Sequence, residues 1–279
     1  MGKIEGEWKE MDKKLRASIR LQAEEWIFEA GEMIRNKMSN PFIIDTKTNK
    51  NDLVTEVDKK TEKFFAEKVK ETYPSHLLLG EEGYGDKVNN LDGTTWIIDP
   101  IDGTTNFVHL KKDFAISIGI YHDGIGEIGL VYDVMNDIIY SATKGGGAYK
   151  NKKKLSLLSK EKTINKSIFS FNHDLLIDDD HFDRNIIESF VREIRDTRTI
   201  GSAALEIVNV AEGNFDGYVS KVLSPWDVAA GYVILNEVGG VITRSNGEEV
   251  NMLEKGTIIS SNAILHEKII DNYFKKWCS

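Results

Sequence analysis

A chain of 279 residues, 41% hydrophobic and 29% charged, has a globular composition and can bury a large core. Its net charge of −9 argues against a nucleic-acid partner, because nothing in the sequence supplies a broad basic face. No long uncharged stretch suits a bilayer span, and a lone cysteine, Cys278, excludes an internal disulfide and a cysteine-rich zinc site.

Residues 1–10 carry charges but no secretory pattern, so a cytoplasmic location is expected. Residues 11–39 read as one long amphipathic helix: Leu15, Ile19, Trp26, Ile27, Ala30, Ile34 and Met38 recur at helical spacing, with Pro41 just beyond. A second helix is expected after Asp58, taken as its N-cap, through Phe64, Phe65 and Val69 to Pro74. Short strands follow at Leu77–Leu79, Trp96–Asp99, Phe114–Tyr121 and Glu127–Asp133. Asp123-Gly124 turns a hairpin between the last two, and a further hairpin spans Ile138–Tyr149.

Beyond Asn151 the pattern predicts a strand at Ser167–Phe171, a helix near His181–Ile194 and an apolar helix over Ala203–Ala211. Then come a strand at Phe215–Val219, a buried helix over Val228–Val238, strands at Val241–Arg244 and Thr257–Ser260, and a closing helix at Ala263–Trp277. This predicts a mixed α/β (α+β) catalytic domain in two halves, about 11–152 and 153–279. The basic run 151–154 and the acidic run 178–180 are expected to be solvated loops. The six histidines are scattered without ligand spacing, which suits structural or surface roles.

Four segments place carboxylates at junctions between elements. In Asp99-Pro100-Ile101-Asp102-Gly103-Thr104, two carboxylates end a buried strand and a glycine lets the backbone approach a ligand. Such a pair holds a hard cation, or simply shapes a turn. Gly80-Glu81-Glu82 leaves a strand with adjacent like charges, which either an ordinary acidic loop or a nearby cation explains. Asp227, in Pro225-Trp226-Asp227, and Asp58, in the run 52–58, each enter a helix and could merely cap it. Taken together, an oxygen-only donor set without histidine or cysteine points to magnesium, manganese or calcium.

The segments D-L-V-T-E-V-D at 52–58, G-E-E at 80–82, W-I-I-D-P-I-D-G-T-T-N-F-V-H at 96–109, G-S-A-A at 201–204 and P-W-D at 225–227 resemble the inositol monophosphatase family of lithium-sensitive, magnesium-dependent phosphatases. The resemblance covers about residues 11–279. It implies a layered αβαβα sandwich, commonly a homodimer, acting on a small phosphorylated metabolite. It also implies one magnesium held by Glu81, Asp99 and the Ile101 carbonyl, another held by Asp99, Asp102 and Asp227, and a weaker third near Glu81. Thr104, supported by Asp58, would orient a metal-activated water. The Gly103 and Thr104 amides would hold the phosphate, while Ser202, Ala203 and Asp227 would face the substrate. Glu82 would support the loop or its neighbours.

One departure stands out. Seven residues before Asp227, animal members carry a glutamate that binds inositol hydroxyls; here the position is Ser220, followed by Lys221. Ser220 is expected to contact the substrate without a charge-assisted bond, and Lys221 to suit a second anionic group. Inositol 1-phosphate or a related polyol or sugar phosphate leads as substrate. NADP, fructose 1,6-bisphosphate and 3′-phosphoadenosine 5′-phosphate are the alternatives. A transcription-accessory binding role, known for a bacterial relative, is the alternative of another class.

Overall fold

Helix α1 (Lys13–Met38) begins where Asp12 accepts hydrogen bonds from the amides of Lys14 and Leu15, and it buries Ile19, Ala23, Trp26, Ile27, Ala30 and Ile34 along one stripe. The computed structural model describes residues 11–39, 42–46, 53–172, 175 and 184–275. A short antiparallel pair, β1 (Ile44–Thr46) and β2 (Leu53–Thr55), leads into α2 (Glu56–Thr72). Thr55, not Asp58, is the N-cap of α2, and Asp58 is the third helical residue, returning a hydrogen bond to the Thr55 amide in a capping box.

A seven-stranded sheet follows in chain order: β3 (Leu77–Gly80), β4 (Thr94–Asp102), β5 (Ala115–His122), β6 (Ile125–Asp133), β7 (Ile138–Thr143), β8 (Gly147–Lys150) and β9 (Lys153–Lys154). β3 and β4 are parallel and the remaining pairs antiparallel. The short helix α3 (Thr104–His109) leaves the end of β4. β4 is buried along its whole length, because both faces of this sheet are covered. Trp96 and Ile98 join α1 and α2 in one core, while Ile97 joins α5 (Ala203–Glu212) and α6 (Pro225–Asn236) in another. Period-two alternation thus feeds two cores from one strand. Gly119 and Gly129 let α6 approach closely: a Cβ on Gly129 would lie 2.4 Å from the Ala230 carbonyl.

The second sheet has the order β11-β10-β12-β14-β13. It comprises β10 (Ile168–Phe171), β11 (Asp196–Arg198), β12 (Gly217–Leu223), β13 (Gly240–Thr243) and β14 (Gly256–Asn262), with β10 parallel to β11 and β12. One face packs Tyr218, Ile242 and Ile258 on α5 and α6. The other packs Phe169, Val219 and Ile259 against Phe190 of α4 (Arg184–Glu193) and Leu265 and Ile269 of α7 (Ala263–Asn272). The layers are therefore α1α2, sheet, α5α6, sheet, α4α7, the expected αβαβα sandwich.

Several expected bounds shift. β4 runs on through Pro100 to Asp102 because a register break against β5 between Asp99 and Asp102 accommodates the proline. β12 extends past Val219 to Leu223, again through a register break after Ser220. The short strands β1, β2, β9 and β11 carry no alternating apolar pattern long enough to announce them. The basic run 151–154 is exposed, and its last two residues pair at the sheet edge. Pro41, Asp52, His173, the acidic run 178–180, His181, Trp277 and Cys278 lie outside the described residues. Among the described residues no helix is long and apolar enough to cross a membrane.

Candidate active site

Parallel pairing of β3 with β4 aligns Gly80 with Ile98, so Glu81 leaves the sheet beside Asp99. The break at the end of β4 then separates Asp99 from Asp102, and Gly103 reverses the chain in the left-handed region, φ 92°. A side chain there would be strained and would crowd the Gly201 carbonyl at 3.1 Å. Asp227 arrives as the third residue of α6, its Oδ2 accepting the Ser224 amide at 2.6 Å.

Asp99, Asp102 and Asp227 converge, each offering a carboxylate oxygen within 4.8 Å of the others. All three titrate upward. Burial is the first cause, and mutual repulsion adds to it. Asp99 is raised well above the usual carboxylate value by burial and then by Glu81, Asp102 and Asp227. Asp227 is raised likewise by burial and then by Asp102 and Glu81, and it lies within hydrogen-bonding reach of Asp99. Asp102 is pushed up to about 6 by burial, against the lowering effect of its donors. Those donors are the Ser202 hydroxyl and the amides of Ala203 (3.2 Å) and Ala204 (2.8 Å), so Asp102 also caps α5 across the two layers. Buried carboxylates in contact must share protons or cations. The donor set is oxygen-only and acidic, and it fits a hard divalent cation.

Asp58 lies within reach of Thr104. The Thr104 hydroxyl has two acceptors at 3.2 Å, Asp58 Oδ1 and the Ile101 carbonyl, and its single proton serves one at a time. Burial raises the Asp58 carboxyl, while Thr55, donating through both amide and hydroxyl, opposes the rise.

Beside the cluster opens a cavity of about 280 Å³, lined by Asp102, Asp227, Ser202 and Ala203, and also by Thr105, Asn106, Asn172, Thr199, Glu206 and Tyr218. Ser220 is not part of this wall. It is fully buried in β12, its hydroxyl accepting from Asn172 Nδ2 at 3.4 Å, and Asn172 presents the polar surface in its place. Lys221 is likewise absent from the lining.

Three residues that the sequence reading passed over organise the site. Buried Glu62 accepts the amides of Glu82 (2.5 Å) and Tyr84 (2.8 Å) and so pins the loop carrying Glu81. Gly80 is required there, since a Cβ would lie 2.5 Å from the Glu62 carboxyl carbon. Asn106 donates to the carbonyls of Asp113 and Ile200, both at 2.8 Å, and ties α3 to the segment before α5. Glu206 accepts the amides of Ile200 (2.5 Å) and Gly201 (3.3 Å) from the other side. The available signal was an acid on an otherwise apolar helix face: Glu62 between Val57 and Phe65, and Glu206 between Leu205 and Ile207.

A layered sandwich with a largely buried, oxygen-only acidic cluster beside a polar cavity defines a metal-assisted hydrolase. The inositol monophosphatase family profile matches residues 16–275. The inositol-1-monophosphatase of Bacillus subtilis is 49% identical over 90% of this chain and 94% of its own. Inositol monophosphatase-II of Staphylococcus aureus superposes with a TM-score of 0.85 at 42% identity, covering 93% and 94% of the two chains; structures of it hold inositol monophosphate and 2′-AMP. An IMPase/NADP phosphatase complexed with Mg2+ and phosphate superposes at 0.83 with 26% identity, covering 92% and 95%. The chain belongs to the inositol monophosphatase family. It is a divalent-metal phosphatase that hydrolyses phosphate monoesters.

Proposed function

We propose that the chain uses magnesium to hydrolyse inositol 1-phosphate or a closely similar polyol monophosphate. The observation that carries this reading is the cavity beside Asp102 and Asp227, whose described lining contains no Lys, Arg or His. Its neutral donors and acceptors, Asn172, Thr105, Thr199 and Tyr218, suit the hydroxyls of an uncharged leaving group. NADP, hydrolysed by a relative at 26% identity, is the second reading; a cavity without cations favours it less.

Glu81, Asp99, Asp102, Asp227 and the Ile101 carbonyl would hold the magnesium ions, two and on the family's pattern a weaker third. Bound there, magnesium lowers the pKa of water and offsets charge on the phosphate. The chain supplies the orientation. Asp58 accepts the Thr104 proton, leaving the Thr104 oxygen to receive a hydrogen bond from the attacking water. The amides of Gly103 and Thr104 steady the phosphate. Asp102, fixed by Ser202, Ala203 and Ala204, keeps the acidic cluster in register with the substrate wall. A cytoplasmic homodimer is the expected setting.

The test is phosphate release with magnesium from inositol 1-phosphate, NADP, fructose 1,6-bisphosphate and 3′-phosphoadenosine 5′-phosphate, with Asp102→Asn as the blank. Inositol 1-phosphate should show the highest kcat/KM. Preference for NADP would replace the first reading by the second, and no release from any of them would refute both.

A further inference from the structure

We infer that Glu206 sets the choice of leaving group, as a fixed negative charge in the cavity wall that admits a neutral polyol and opposes a second phosphate. The inference rests on the proposed reading of the cavity as the leaving-group site.

Three carboxylates line the cavity: Asp102, Asp227 and Glu206. The first two belong to the acidic cluster, where divalent cations, once bound, would offset their charge. Glu206 stands outside that cluster, and no cation is among the groups that shift its carboxyl. It is the fourth residue of α5 and folds back over the helix start, so that Oε1 takes the amides of Ile200 and Gly201. Its Oε2 is buried beside the Ser170 hydroxyl; burial pushes the Glu206 carboxyl up, and Ser170 with the amides of Ile200 and Gly201 opposes the rise. The side chain is 2% exposed, so solvent screens it poorly.

A leaving group that carries a second phosphate therefore brings like charge toward a buried carboxylate that hydrogen bonds hold in place and no cation in the described lining offsets. Discrimination of this kind works by repelling the competitor rather than by binding the preferred ligand better. Lys221, the sequence's candidate for receiving a second anion, does not reach this wall. The amide contacts also explain why the charge stays in place: they lie on the segment that leads into Ser202 and its bond to Asp102.

The experiment uses the full-length, magnesium-loaded protein at low ionic strength. It compares kcat/KM for inositol 1-phosphate with that for fructose 1,6-bisphosphate in wild type, Glu206→Gln and Glu206→Asp. Glutamine keeps an acceptor for the two amides and removes the charge. The ratio should narrow about tenfold in Glu206→Gln through a gain on the bisphosphate, while Glu206→Asp keeps most of the discrimination. A purely structural role would lower both substrates together and leave the ratio in place. Should the glutamine variant fail to fold, Glu206→Asn decides instead, because the shorter amide also removes the charge and the same narrowing is expected. A ratio unmoved in a folded amide variant overturns the inference, as does a wild-type preference for the bisphosphate. Wild type that hydrolyses neither compound would instead overturn the functional reading on which the inference stands.

Discussion

Replacing Asp102 by asparagine separates the two demands that its position makes. Asp102 is buried and raised from the ordinary 3.8 to about 6, so keeping it ionised in the metal-free fold at neutral pH costs about 3 kcal/mol. Asparagine, a neutral acceptor like the protonated carboxyl, relieves that cost; the hydrogen bonds from Ser202, Ala203 and Ala204 already enter the shift. Metal-free Asp102→Asn should therefore be the more stable protein at pH 7.5, by up to about 3 kcal/mol. The sign with pH follows from the direction of the shift. A carboxyl raised by folding contributes stability below its unfolded value of 3.8, and that contribution is lost as pH climbs through about 6. Metal-free wild type should therefore lose ground against the variant between those values. Thermal unfolding in EDTA across pH 4–8 reads the difference. With magnesium the order reverses: wild type gains Tm, the variant gains less, and its turnover falls at least about a thousandfold. Substantial turnover in the variant, or a destabilisation of several kcal/mol independent of pH, would refute the reasoning.

Glu62→Ala leaves the amides of Glu82 and Tyr84 without their buried acceptor; it should cost about 2–4 kcal/mol in unfolding free energy and raise the magnesium needed for half-maximal activity. An unchanged magnesium requirement would show that Glu62 does not hold Glu81 in place. Thr104→Val should lower kcat about a hundredfold or more while Thr104→Ser retains most activity, because only the hydroxyl bridges to Asp58; equal rates in the two variants would remove Thr104 from the mechanism. Lithium should inhibit phosphate release in steady-state assays, as the family's pattern implies, and insensitivity at high lithium would separate this chain from it.

The acidic site was legible because its residues sit at element ends that short motifs mark. The apolar run before Asp99 fixed a buried strand, and Gly103 follows Asp102 where only a left-handed turn brings α3 against Gly201. Asp58 and Asp227 were readable as helix-entry acids, though both are third residues in capping boxes rather than caps. The long-range supports were not legible. Asn106 reaches Ile200 and Glu62 reaches Glu82 across sequence gaps that no local period reports. Ser220 shares the Tyr218 face of β12, but Asn172 covers it: the Ser220 hydroxyl accepts from Asn172 Nδ2, and Asn172 lines the cavity instead, a long-range contact that no local period reports. Helix α1 was readable nearly to its ends, since its stripe of buried residues repeats over 26 residues.

The most direct test of the central claim is phosphate release from inositol 1-phosphate by EDTA-treated protein titrated with magnesium. The account predicts no release before addition, activity restored by magnesium alone, and no restoration in Asp102→Asn. Full activity in EDTA would contradict it.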